Sequence, residues 1–158
     1  MVLQMRKLKI NNYQLIIAGF LACVLFFAAC GMLFYHNPQK ARETAYKFLN
    51  SVYMQGDFNR AYSMVDADFD RNFGNGYLEK ISTRFFRVFD RLDGLRADAY
   101  MFEQGQRSMM ILFTGLSEKA PSYHKVMLVG DGSRGYWVSS VEYSDAPFTG
   151  FRTLKFFK

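Results

Sequence analysis

Two cysteines and two histidines in 158 residues leave little room for the chemistry those residues perform. Cys23 and Cys30 both lie inside the apolar run Leu15–Tyr35, so the rest of the chain has no thiol to oxidise and none to bind zinc. A disulfide framework and a cysteine-based metal centre are thereby excluded. His36 closes the apolar run, which leaves His124 as the one histidine of the remainder. No Ser-His-Asp order, glycine-rich phosphate loop or cluster of metal ligands can be read, and neither repeats nor low-complexity stretches occur. A concentrated basic surface is missing too. The formal charge is +6, but Arg6, Lys7 and Lys9 precede the apolar run, and Arg84, Arg87, Arg91 and Arg96 are interspersed with Asp90, Asp93 and Asp98. That mixture reads as a solvated, salt-bridged face, with no nucleic-acid partner.

What is present begins with the apolar run. At about 1.5 Å per residue, Leu15–Tyr35 forms a helix matching a hydrocarbon core of about 30 Å. Arg6, Lys7 and Lys9 place residues 1–14 in the cytoplasm. The expectation is therefore a single-pass bacterial inner-membrane protein, anchored by residues 15–35, with the rest outside the cytoplasm. Ala28-Ala29-Cys30-Gly31 supports a second reading: it resembles the lipobox of a lipoprotein signal peptide, in which Cys30 carries the lipid and the chain is lipid-anchored.

Beyond the run, Asn37-Pro38 is a helix start, with Asn as N-cap and Pro where its missing N–H costs nothing. Ala41, Ala45, Phe48, Leu49 and Val52 form the apolar stripe of a helix ending near Gln55-Gly56. Asp57 caps a second, short helix with Phe58, Ala61, Tyr62 and Val65 on its apolar side; the polar stretch Asp66–Gly76 breaks it. A third helix carries Tyr77, Ile81, Phe85, Val88, Phe89 and Leu92, ending at Asp93-Gly94. The period then becomes alternating. Leu95, Ala97, Ala99 and Met101 share one strand face, Gly105-Gln106 is a turn, and Met109–Phe113 is apolar on both faces, as in a central or doubly covered strand. Strands containing His124–Val129 and Tyr136–Tyr143 form a hairpin around Gly130–Gly135. Helices followed by antiparallel strands indicate one α+β domain over residues 38–145, with a basic, aromatic tail over 146–158.

The helix AYKFLNSVYMQ, the turn Gly56-Asp57-Phe58, the following Arg60-Ala61-Tyr62 and the strand start Gly135-Tyr136-Trp137-Val138 resemble the nuclear-transport-factor-like, or ketosteroid-isomerase-like, superfamily. The resemblance covers most of residues 38–145 and implies helices packed on a curved antiparallel sheet, a cone-shaped, cystatin-like architecture, which here follows the transmembrane helix expected from the apolar run. A membrane span leading directly into such a domain is similar to the inner-membrane assembly proteins of type IV secretion systems.

Candidate residues follow from these readings. Asp68, Asp70, Asn72 and Glu79 fall at the first, third, fifth and twelfth positions of an EF-hand-like calcium loop, against which Phe73 stands where that loop needs Gly. A ligand pocket in the cone would draw on His124, Glu142 and Trp137, with Glu142 on the strand face of Tyr136 and Val138. Phe151, Arg152, Lys155, Phe156, Phe157 and Lys158 alternate aromatics with cations and suit a membrane surface; an extra edge strand is the competing reading. With nine Met and 18% aromatics, the chain carries more apolar surface than one small core needs. The expected function is a non-catalytic, membrane-anchored interaction domain of an envelope complex. It needs no cofactor, and its partners are the membrane and other envelope proteins or its own copies. The alternative is an anchored small-molecule-binding, isomerase-like domain.

Overall fold

The computed structural model describes residues 36–102, 107–151 and 153–158, together with Ile17, Gly19 and Phe20. Two units divide the chain, Met1–Tyr35 and His36–Lys158. Of the first, Ile17, Gly19 and Phe20 are helical and exposed; the remainder of the expected span, Cys30 included, lies outside the described residues, as do the Gly105-Gln106 turn and Arg152. Among the described residues no helix is long and apolar enough to cross a membrane.

The second unit is α+β. Helix α1 (Pro38–Asn50) starts as its cap demands: the Asn37 side-chain oxygen accepts from the N–H groups of Gln39 and Lys40, both at 3.1 Å. It runs into a π-helical turn, Ser51–Gln55, ended by Gly56 at φ 68°. The wide turn lets three successive residues, Ser51, Val52 and Tyr53, all be fully buried, which a regular helix with one side to the core does not allow. Asp57 caps α2 (Phe58–Tyr62) by accepting from Arg60 N at 3.0 Å. The polar stretch that follows is not a plain loop. It contains α3 (Phe69–Phe73), whose Phe69 is fully buried and packs on Phe73 and Tyr77 at ring separations of 4.9 and 5.9 Å. Helix α4 (Tyr77–Val88) stops earlier than its apolar stripe suggests. Phe89 turns extended, so Phe89 and Leu92 enter the core from irregular backbone and Val88 is left 62% exposed.

Strands β1 (Gly94–Phe102), β2 (Ser108–Leu116), β3 (Ser122–Asp131), β4 (Gly135–Ser144) and β5 (Lys155–Phe156) form one antiparallel sheet in the order β4-β3-β2-β1-β5. The main core lies between the helices and one sheet face, which contributes Met109, Ile111, Phe113, Val126, Leu128, Val138 and Val141. Two bulges reset the alternation. In β1 the irregularity between Ala97 and Ala99 keeps Leu95 and Ala97 on the helix face but sends Ala99 and Met101 to the other, with Tyr100 and Phe102 taking the helix side. In the β3–β4 pair, a shift at Met127/Leu128 puts Val141 and Tyr143 on the helix face and turns Glu142 away from Tyr136 and Val138. The expected faces of Ala99, Met101 and Glu142 are thus corrected by one inserted residue each.

β2 is buried on both faces, as its composition requires: Met110, Leu112 and Thr114 point away from the helices yet are 2, 9 and 7% exposed. Their cover follows from connectivity. β4 and β5 lie at opposite edges, and Phe148 sits beside Lys125 of the far face, the ammonium 5.4 Å from the ring centre, so the connection from β4 to β5 crosses that face. Phe148, Phe151 and Leu154 are half-buried along the crossing.

Candidate functional site

His124 is sealed in the core. The β3 alternation points it at the helices, where it is fully buried against Tyr53 and Phe85 at ring separations of 5.0 and 5.6 Å. Its Nε2 lies 2.9 Å from the Ser122 hydroxyl, and its Nδ1 has no partner. Burial alone pushes its pKa down to about 3, so the ring is neutral. Tyr53, equally buried and with an unpartnered hydroxyl, is driven far above the usual phenol range, first by burial and then by the Tyr143 and Tyr77 hydroxyls. The neighbouring strand accommodates the imidazole only because residue 115 is glycine: a Cβ there would lie 2.5 Å from Ser122 Oγ and 2.9 Å from His124 Nε2.

Glu142 and Trp137 do not join it. Glu142 lies on the opposite sheet face in an ion pair with Lys125 at 2.7 Å, and Trp137 is 41% exposed. The three residues expected to share a pocket therefore occupy a closed core and an outer face. The calcium reading is corrected as well. Asp70 and Asn72 are part of α3, the Asp68 carboxylate pairs with Arg71 at 2.9 Å, and Glu79 accepts from the Tyr62 hydroxyl at 3.0 Å. Among the described residues no three His, Cys, Asp or Glu side chains gather to hold a metal.

In the tail, Lys155 pairs opposite Tyr100 and Phe156 opposite Ala99, so part of it is an edge strand. Phe157 turns inward onto Tyr100 at a ring separation of 4.8 Å, its N–H donating to Asp98 O at 3.2 Å. Phe156 is 73% exposed. Of the expected membrane-facing aromatics, Phe156 points outward while Phe151 and Phe157 are half-buried.

Two open features carry binding chemistry. The first is a cleft of about 580 Å³ at the β1–β5 edge. Tyr46 on α1 and Leu95, Ala97 and Phe113 on the sheet give it an apolar lining, with Phe157 closing one side. Arg42, Lys47, Arg96 and Lys158 stand around it against one acid, Glu43. Arg42 is held 5.4 Å over the Phe157 ring and Arg96 pairs with Asp98 at 2.8 Å; Lys47 and Lys158 form no ion pair among the described residues.

The second is a groove of about 450 Å³ at the opposite edge, between α4 and β4, floored by Phe73, Tyr77 and Tyr143, with Lys80 and Arg84 on one side and Glu142, already paired with Lys125, on the other. Lys80, Arg84 and Arg87 lie along the exposed side of α4 at four- and three-residue spacing, and none of them forms an ion pair among the described residues. The expected salt-bridged face is thus realised only in part. Arg96 does pair with Asp98, but Asp90 pairs with Lys119 at 2.6 Å and Arg91 Nε donates to Met54 O at 2.9 Å. The β4 edge is capped once, where Val65 bridges Val138; beyond it no further described strand pairs with β4 on that side.

Comparison of the chain with family models, with curated proteins and with solved structures finds no match. Sequence reasoning missed both features. The signal for the groove was legible, since Lys80, Arg84 and Arg87 recur on one side of a helix whose other side is apolar. No local signal existed for the cleft, because Phe157 reaches it only through the pairing of β5 with β1.

Proposed function

We propose that the folded unit is a non-catalytic interaction domain of a bacterial envelope complex, tethered outside the cytoplasm through Leu15–Tyr35, and that its α4–β4 groove receives an acidic segment of another envelope protein. The observation that carries this is the pair Lys80 and Arg84 on the groove, continued along α4 by Arg87, all exposed and without ion-pair partners among the described residues, beside an aromatic floor and an open strand edge. An edge strand offers main-chain hydrogen bonds to an extended partner, and the cations select its charge. The resemblance drawn from residues 45–62 and 135–138 supports the same reading, including the cone-like sheet and a kinship with secretion-system assembly proteins. The isomerase-like alternative loses support from the site it needs, since His124 is enclosed by Tyr53 and Phe85 and has no carboxylate beside it.

A photoreactive residue at Thr83, which stands beside Lys80, Arg84 and Arg87 on the exposed side of α4, tests the cationic row that borders the groove in native membranes. A discrete adduct is expected that disappears when Arg84→Glu and Arg87→Glu are combined and that the same probe at exposed Asn59 does not give. Equal adducts at both positions, or none at Thr83, would end this reading. The tether is tested separately by the mass of the mature protein: an intact chain is expected, and a lipid-bearing chain beginning at Cys30 would replace the span with a lipid anchor.

A further inference from the structure

We propose that the cleft between α1 and β1 binds a single-chain fatty-acyl carboxylate, its headgroup among Arg42, Lys47 and Lys158 and its chain along Leu95, Ala97 and Phe113. This concerns the opposite sheet edge from the α4–β4 groove and stands independently of the interaction reading.

The lining selects the ligand. A volume of about 580 Å³ falls within the range of small-molecule sites, roughly 300 to 1,000 Å³. Leu95, Ala97, Phe113 and Phe157 present only hydrocarbon or aromatic ring, so a sugar or nucleotide seated there would lose hydrogen bonds to water and regain none. A small free anion would satisfy the cations and leave the apolar floor wet. A neutral chain would cover the floor and leave the cations unmatched. One negative group on one long chain meets both demands. The cations are also arranged for such a head. Arg42 lies 5.4 Å over the Phe157 ring and forms no ion pair among the described residues, so its N–H donors can meet a carboxylate. Asp98 already occupies Arg96. Lys47, without an ion pair among the described residues, stands more than one helical turn further along α1 from Arg42, and Lys158 faces the same space from the chain segment after β5. Apolar walls lower the local dielectric and strengthen attraction to whatever charge enters.

The bulge in β1 makes room for the chain. Leu95 and Ala97 face the helix side before the alternation resets, and the small Ala97 leaves space that a larger side chain would fill. Tyr46, 39% exposed as a residue, closes the α1 side with a ring large enough to cover a methylene chain.

The test uses the full chain in zwitterionic nanodiscs, a diazirine-bearing dodecanoate, and mapping of the label by peptide mass. Labelling is expected on the peptides containing Tyr46 and Leu95–Ala97, reduced about tenfold by excess dodecanoate but not by dodecyltrimethylammonium. Ala97→Phe, which fills the floor, and the pair Arg42→Glu with Lys47→Glu, which reverses the rim, are each expected to lower it about tenfold while far-ultraviolet dichroism is unchanged. Label confined to residues 15–35, equal competition by the cationic amphiphile, or persistence of the label in either variant overturns the proposal. Competition by phosphatidylglycerol in the nanodisc as effective as that by dodecanoate would overturn the choice of a free acid. The α4 reversals Arg84→Glu and Arg87→Glu should leave this labelling intact, so its loss and the loss of the Thr83 adduct report on different sites.

Discussion

Taking the protein from pH 7 to pH 5 is expected to remove about 2 kcal/mol of folding stability through His124. In the unfolded chain this imidazole takes up a proton near pH 6.5, whereas in the fold burial holds its pKa down to about 3. Between those values the unfolded state binds a proton that the folded state refuses. Stability from this residue is therefore complete above the unfolded value and declines as the pH falls towards the folded one, by up to about 1.4 kcal/mol per pH unit. The environment explains the refusal. Tyr53 and Phe85 pack on the ring, Ser122 meets Nε2, and Nδ1 has no acceptor for the proton it would gain. A domain of this size is stable by roughly 5–15 kcal/mol, so the loss is a large fraction. The single tryptophan, Trp137, reports unfolding, and urea titrations at pH 7, 6 and 5 give the slope. His124→Phe should start less stable and show a flatter profile over that range. Identical wild-type stability at pH 7 and 5 would mean that water reaches the ring. A second loss is expected below pH 3.8 from Asp131. The Ser133 hydroxyl and the Arg134 N–H hold its carboxylate at about 2, and it must be protonated as the turn opens.

The contrast between what could and could not be read from the residues has a common cause. Asn37 and Asp57 were legible as caps because a cap is a local bargain between one side chain and the N–H groups of the next turn. Met109–Phe113 was legible because a strand buried on both faces must be apolar at every position. Face assignments failed wherever they needed parity carried past a bulge, which is why Ala97 was expected with Ala99, and Glu142 with Val138. Helix α3 was hidden because charge dominates Asp66–Gly76, although Phe69 and Phe73 at four-residue spacing were its signal. The cleft is the extreme case. Its residues come from α1, β1, β2 and the end of the chain, and only the finished sheet order brings them together. His124 was visible as a candidate, but whether it opens to a pocket or is sealed depends on Tyr53, which a π-helical turn rotates into the core.

Gly130→Ala is expected to destabilise the fold by about 3 to 5 kcal/mol, the largest cost of any single methyl group we assign. Backbone conformation and space both forbid it. Gly130 has φ 129°, a region where residues other than glycine carry about 1–3 kcal/mol of strain. A Cβ built there would also lie 2.1 Å from the carbonyl oxygen of Gly135 and 3.1 Å from Tyr136 Cα, and main-chain atoms cannot rotate aside. Relief requires the β3–β4 pair to part at the register positions Gly130↔Tyr136 and Asp131↔Gly135. The damage then spreads beyond the hairpin. The Asn37 N–H donates to the Tyr136 hydroxyl at 2.7 Å and Lys40 Nζ to Gly132 O at 2.9 Å, so the same turn holds the start of α1 where the chain enters the folded unit. Gly130 N itself donates to Arg107 O at 2.8 Å, tying the hairpin to the approach to β2. Gly56 is the control, since it has φ 68° but nothing within 4 Å of its Cβ position. Gly56→Ala should cost only the backbone strain, about 1–2 kcal/mol, and Gly56→Asn less, because asparagine tolerates that conformation. Urea midpoints of the three variants separate the two causes. If Gly56→Ala and Gly130→Ala cost the same, the carbonyl of Gly135 is free to move and the hairpin is not what fixes the start of α1.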